Sequence, residues 1–191
     1  MPGKGERRRQ LLIEAAGQIL EEDGFEAVRH RAVAERAGVP LGSTTYYFSS
    51  RDDLVVAALR GLITAEHEAA SERVRSLPRR TMSPGRAAQF LLDVLLGPER
   101  AGDESLLAYY ERYLQCGRVI GLRAELQKAR AVTDQLLVEA LERAGRTATT
   151  TDVRRLVAIA DGTIISALVE GDGSARSAAQ RSLTTELRSG R

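Results

Sequence analysis

Apolar residues recur along this chain with the period of a helix, and strand alternation is almost absent. From Arg7 to Asp23, residues Leu12, Ala15, Ala16, Ile19 and Leu20 stand at i, i+3, i+4, i+7 and i+8, the buried stripe of one helix, and Gly24 follows as its cap. Val33, Ala34 and Ala37 predict a short helix over 30–37 that Gly38 breaks, and a second short helix over 41–47 is mostly polar until Phe48. Asp52 opens a longer segment with Leu54, Val55, Ala58, Leu59 and Leu62, expected to run to about Ser76. The stretch from Leu77 to Gly85, with Pro78 and Pro84, reads as a loop. Further helices are expected over about 86–97, 103–117, 120–144, 152–170 and 175–188, divided by Gly97-Pro98, Gly117 to Gly121, Gly145 to Thr151 and Gly171 to Gly173. The fold class is therefore all-α, with eight or nine helices and short connections.

The organisation is asymmetric. Three short helices fill the first 50 residues and long amphipathic ones fill the rest, so the expected division is a domain of 1–51 followed by one of 52–191. Ser49-Ser50-Arg51-Asp52-Asp53 supplies polar residues and an N-cap at that junction.

Composition removes several function classes. A 191-residue chain with 43% hydrophobic and 28% charged residues has an ordinary globular balance. Its formal net charge of +2 excludes a polybasic coat for nucleic acid, so any such site must be concentrated. Cys116 stands alone and fits a reducing cytoplasm; with only His30 and His67 beside it, no metal-ligand set forms, and neither a metal nor a cofactor is expected. The basic start followed by Leu11, Leu12 and Ile13 resembles a signal peptide until Glu14, Gln18, Glu21 and Glu22 interrupt it. No uninterrupted apolar run of about 18 residues exists, so no membrane span is expected and the chain reads as soluble. An enzyme is disfavoured as well. Gly171-Asp172-Gly173-Ser174 lacks a Lys and follows a helix, and two distant histidines give no nucleophile–base set. An adaptor that binds another protein through its apolar helices is a third class.

The segment from Val33 to Phe48 carries the most chemistry. Small Ala37 lets two short helices approach, Gly38 permits positive φ, and Val39 is expected to bury under both, which is helix-turn-helix logic. The second helix is rich in hydroxyls and phenols expected to be exposed, Ser43, Thr45, Tyr46 and Tyr47, groups that bond phosphate oxygens and reach base edges in a major groove. Such a hairpin is also a common packing unit with no ligand at all.

Its surroundings separate the two readings. Ala15-Ala16, Gly24-Phe25, Val33-Ala34-Glu35-Arg36-Ala37-Gly38-Val39, Gly42-Ser43, Tyr47-Phe48 and Arg51-Asp52-Asp53-Leu54 together resemble the tetracycline-repressor (TetR) family of bacterial transcription regulators. The resemblance implies a ligand-responsive repressor that binds a double-stranded operator as a homodimer and releases it when a small-molecule effector binds. It places Leu41, Gly42, Ser43 and the rest of that helix in the major groove, Arg31 at a guanine edge or phosphate, and Thr45, Tyr46 and Tyr47 on the phosphate backbone. Arg51 stands where the family usually has Lys and implies another phosphate contact. Phe48, Val33, Leu20 and Ile19 are core in either reading.

The chain also departs from the family pattern. Arg29 replaces the usual Ser or Thr cap of the second helix, at a cost of about 1 kcal/mol. Thr45 stands in place of a common Tyr, Pro40 in place of a frequent Ser, and Leu41 is apolar, either a contact to a thymine methyl or a bare exposed side chain. Residues 1–51 hold eight basic and seven acidic side chains, but Lys4 to Arg9 carries +3, either as a flexible arm on DNA or as a solvated terminus.

Beyond Ser50 the resemblance is architectural. Leu156, Ala160, Ile164, Ala167 and Leu168 lie on one stripe, and Ala179, Leu183 and Leu187 on another. The resemblance implies a four-helix dimer interface built from them; the alternative is that they close the monomer's own core. Phe90, Tyr110, Tyr113 and Asp161 are the candidate effector contacts, phenols offering flat apolar walls with a polar edge. Ordinary core tyrosine is the competing account, and Asp161 is favoured to pair with Arg112 or Arg123. Cys116 reads as a small buried hydrophobe rather than a redox sensor, and His67 as a helix-surface residue.

Overall fold

The computed structural model describes residues 3–118, 122–171 and 173–189, and every regular element among them is a helix. In order they form α1 (Lys4–Asp23), a 3-10 turn (Phe25–Ala27), α2 (His30–Ala37), α3 (Leu41–Tyr47), α4 (Arg51–Ser76), α5 (Pro84–Leu96), α6 (Asp103–Cys116), α7 (Arg123–Arg143), α8 (Thr150–Glu170) and α9 (Ala175–Ser189). Positions 120 and 121 of the expected seventh long segment, and Asp172 in the last connection, lie outside the described residues.

The chain divides into two compact units. One is residues 1–65 with 112–125, the other 66–111 with 126–191. The expected division at Ser50 falls at the start of α4, whose N-cap is Ser50: its hydroxyl accepts from the Asp53 amide at 3.0 Å.

The first unit is built around the α1 stripe. Leu12, Ala16, Leu20, Val28, Val33, Phe48, Leu54 and Ala58 are all buried there. A Cβ on Gly61 of α4 would stand 2.8 Å from Ile13 Cγ2, so α1 and α4 approach as closely as a glycine allows. Arg36 reaches Glu22 at 2.8 Å and ties α2 to the end of α1.

In the second unit Leu92, Leu106, Leu137, Leu141, Ile164 and Leu183 are nearly or fully buried in one cluster. Thr149 and Asp152 form a capping box at the start of α8. Asp134, 1% exposed, holds Arg130 at 2.8 Å and Arg154 at 2.7 Å, joining α7 to α8. A buried carboxylate is tolerable here because two guanidiniums replace its water.

This core corrects the expected dimer seam. Leu156, Ala160, Ile164, Ala167, Ala179, Leu183 and Leu187 are buried within the chain itself, and Leu168 packs half-buried against the same cluster. A stripe of small and branched residues shows that a helix face is covered, not by which chain. His67 also differs from expectation: it is half-buried, with Nε2 3.0 Å from Thr133 Oγ1, and burial depresses its pKa while Glu66 opposes the shift.

Candidate functional site

The α2–α3 pair is shaped by its turn. Gly38 sits at φ 64°, ψ 32°; its amide bonds Glu35 O at 3.2 Å and the next amide, of Val39, bonds Ala34 O at 3.0 Å. That double bond ends α2 in a Schellman motif, which requires the left-handed conformation a glycine adopts freely. Pro40 at φ −58° then enters α3, and Val39 is half-buried rather than fully covered. Arg29 caps α2 without a side-chain bond and instead donates to Glu26 O at 3.1 Å.

Two residues fix the rotation of α3. Thr44 is fully buried, with its hydroxyl donating to Leu41 O at 2.7 Å, and Phe48 is 4% exposed. Sequence reasoning missed Thr44; its signal was the i, i+4 spacing to Phe48, hidden by a polar residue type. With that face inward, Leu41 (51% exposed), Gly42, Thr45 and Tyr46 (81% exposed) face solvent. Ser43 and Tyr47 are half-buried at the flanks, less open than expected. Thr45 Oγ1 donates to Gly42 O at 3.3 Å, and the Tyr46 and Tyr47 rings meet edge-on with centroids 4.9 Å apart. The surface offers an apolar tip, a gap without a side chain, a hydroxyl and two phenols, with no carboxylate among residues 41–47.

The two expected cations have partners. Arg31 projects from α2 with its side chain 84% exposed and reaches Glu35 at 3.0 Å, a surface pair worth only about 0.3–0.5 kcal/mol and easily exchanged for a phosphate. Arg51 donates from Nε to Val28 O at 3.0 Å and from Nη2 to Phe25 O, and lies 3.5 Å from Glu26. It braces the 3-10 turn against α4 rather than standing free. The basic N-terminal run also differs from a flexible arm, because it is the first two turns of α1.

In the second unit, Tyr110 and Asp161 meet: the Tyr110 hydroxyl donates to Asp161 Oδ1 at 2.8 Å, between α6 and α8. The favoured Arg pairing for Asp161 is corrected, since the first partner is a neutral phenol and Arg112 bonds Glu21 at 3.4 Å. Burial raises the Asp161 pKa, moderated by the Tyr110 hydrogen bond and the charge of Arg130. Phe90 packs partly buried against the core of the same unit, whereas Tyr113 is 46% exposed and belongs to the first unit. An apolar crevice with a cavity volume of only about 10 Å³, lined by Leu91, Leu95, Leu137, Val157, Ala160 and others, runs beside the α8 stripe. Cys116 is buried.

Comparison with known proteins gives two matches along the chain. Residues 12–58 match the family described as "Bacterial regulatory proteins, tetR family", and residues 82–189 match "Tetracyclin repressor-like, C-terminal domain". The multidrug binding protein EbrR, solved with imidazole, is 32% identical with a TM-score of 0.66, over 98% of this chain and 93% of that one. A TetR-family protein from Streptomyces coelicolor is 30% identical with a TM-score of 0.61, over 94% and 97%. The transcriptional regulator PksA of Bacillus subtilis is 30% identical over 91 residues, 47% of this chain and 42% of PksA, so the chain matches less than half of that relative's length.

Proposed function

The chain belongs to the TetR family of bacterial regulatory proteins, and we propose that it is a cytoplasmic, homodimeric repressor that leaves its operator when a small molecule occupies the second unit. No helix among the described residues is long and apolar enough to cross a membrane. The observation that carries the DNA reading is the outward face of α3. Leu41, Gly42 and Ser43 enter the major groove, with Leu41 available to a thymine methyl and Gly42 leaving room for the base edge. Thr45, Tyr46 and Tyr47 hold the backbone, and Arg31 exchanges Glu35 for a guanine edge or a phosphate. Arg51 supports the site chiefly by bracing the turn ahead of α2, with its charge available to a nearby phosphate.

One such helix covers too little surface for tight specific binding, so a second copy is needed, its recognition helix about 34–36 Å away. With the stripe residues of α8 and α9 inside the core, the self-association surface is the opposite face of α8. Ala158, Gly162, Ile165 (39% exposed) and Val169 (82% exposed) lie there at helical spacing, and nothing stands within 4 Å of a Cβ placed on Gly162. A bare glycine flanked by exposed apolar residues suits the close crossing of two identical helices.

The crevice in the second unit, about 10 Å³, is far smaller than the roughly 300–1,000 Å³ of a ligand pocket. An effector must therefore open the helices around Phe90, Tyr110 and Asp161, and it shifts the protein only by binding the opened state better than the closed one. EbrR is described as a multidrug binding protein and is also seen with proflavin and ethidium, and broad drug binding is the working expectation for this chain.

Fluorescence anisotropy on labelled duplex from the DNA flanking the gene tests the reading. Wild type binds, and Arg31→Ala and Tyr46→Ala each weaken binding by roughly 5- to 150-fold, corresponding to about 1–3 kcal/mol, while sedimentation shows an intact dimer. Wild-type affinity in both variants across a salt titration rejects the assignment.

A further inference from the structure

The basic run at the N-terminus is ordered as helix, and that changes what it can do. We infer that the first two turns of α1 form a second phosphate-binding face of the DNA-reading unit, held rigidly beside α3. The inference rests on the DNA-binding reading above.

Three observations converge on it. Lys4, Arg7 and Arg8 stand at i, i+3 and i+4 and share one face of α1; all three are exposed, and none of their side chains makes an ion pair or hydrogen bond among the described residues. The other cations of α2, α3 and their turns do have partners: Arg29 on Glu26 O, Arg31 on Glu35, Arg36 on Glu22 and Arg51 on two carbonyls. Among the described residues of 1–51 the lysine and arginine side chains without an ion pair or hydrogen bond are thus Lys4, Arg7, Arg8 and Arg9, all in the first two turns of α1. Glu6 is the one acid in those two turns, and the next, Glu14, lies about 12 Å beyond it along the axis and accepts from Gln10 at 3.1 Å.

The adjoining face of the same turns is fixed to α3. The Tyr47 hydroxyl stands 3.4 Å from where a Cβ on Gly5 would be, and the Arg9 guanidinium lies 5.6 Å from the centroid of the Phe48 ring. The basic face therefore cannot swing independently of the helix that carries Tyr46 and Tyr47. A duplex seated on α3 presents its backbone to the same end of the unit, and cations already ordered there lose little entropy on meeting a phosphate. The partner is the backbone of the operator duplex itself. These contacts position the protein without reading sequence, because phosphates carry none.

The test is the salt dependence of binding, measured by anisotropy with one labelled duplex from the flanking DNA and one unrelated duplex. For the triple variant Lys4→Ala, Arg7→Ala, Arg8→Ala, the slope of log K against log salt becomes shallower by roughly 2.7 per subunit if each cation neutralises one phosphate. Preference for the flanking duplex over the unrelated one persists, and far-ultraviolet circular dichroism is unchanged. A control removes three cations of the second unit, Arg79→Ala, Arg80→Ala, Arg86→Ala, and keeps the wild-type slope. A wild-type slope in the triple variant, or an equal loss in the control, overturns the inference while leaving the DNA reading intact. Failure of the wild-type protein to bind either duplex rejects both.

Discussion

Replacing Arg51 separates two roles that a cation at this place can have. In the folded chain its guanidinium donates to Val28 O and Phe25 O, two carbonyls of the turn between α1 and α2, the second of which also accepts from the Val28 amide at 3.3 Å. Hydrogen bonds to a charged group contribute about 1.5–3 kcal/mol each when shielded. The side chain is 38% exposed, and water can replace it at both carbonyls, so the loss for Arg51→Ala is set lower, about 1–2 kcal/mol. Arg51→Lys keeps the charge but cannot make the forked contact, and it loses nearly as much. Urea unfolding of the dimer at fixed concentration measures this, and anisotropy in parallel measures DNA binding. The bracing role predicts lower stability in both variants and a binding loss that Lys only partly restores. Unchanged stability, with full restoration of DNA binding by Lys, refutes it and makes Arg51 a simple phosphate contact.

Other consequences are equally open to measurement. Gly38→Ala puts a Cβ on a residue at φ 64° and lowers stability by about 1–2 kcal/mol in urea unfolding, with operator binding falling further because α3 is re-aimed. Burial raises the folded pKa of Asp161, so its protonated form is favoured by folding, and the stability it contributes is complete below its unfolded pKa and lost as pH rises through the folded value. Asp161→Asn is accordingly more stable than wild type near pH 7 and indistinguishable from it near pH 3 in thermal melts. Val169→Glu places a charge on the exposed α8 face and converts the dimer to monomer in sedimentation, with the helical spectrum retained.

Parts of this architecture could be read from residue spacing because a few residues allow only one outcome. The ranges of α2 and α3 agree with expectation to the residue, since Gly38, Pro40 and Phe48 mark their ends by backbone constraint and burial. The start of α1 was set too late because Lys4, Gly5 and Glu6 carry no apolar stripe, and helix there follows from continuity rather than periodicity. Thr44 was passed over as one more hydroxyl, although its own hydrogen bond to Leu41 O makes it a core residue. Hydrophobic spacing on α8 says that a face is covered without saying what covers it. Leu156 and Ile164 are covered by their own chain, and Tyr113 is left out of the core that takes Tyr110. Arg51 shows the converse limit, since its charge suggested a phosphate while its reach was already committed to two carbonyls.

The outward face of α3, presented twice, is proposed to read duplex DNA. Selection of bound molecules from a library of randomised duplexes, carried out with the full chain at physiological salt, addresses it directly. The expected result is enrichment of a near-palindrome whose half-sites lie about one helical turn, or a whole number of turns, apart. Leu41→Ala and Ser43→Ala are expected to shift the preferred bases within the half-sites while leaving their spacing unchanged. Recovery of no preferred sequence, or of the same sequence by wild type and by both variants, contradicts it.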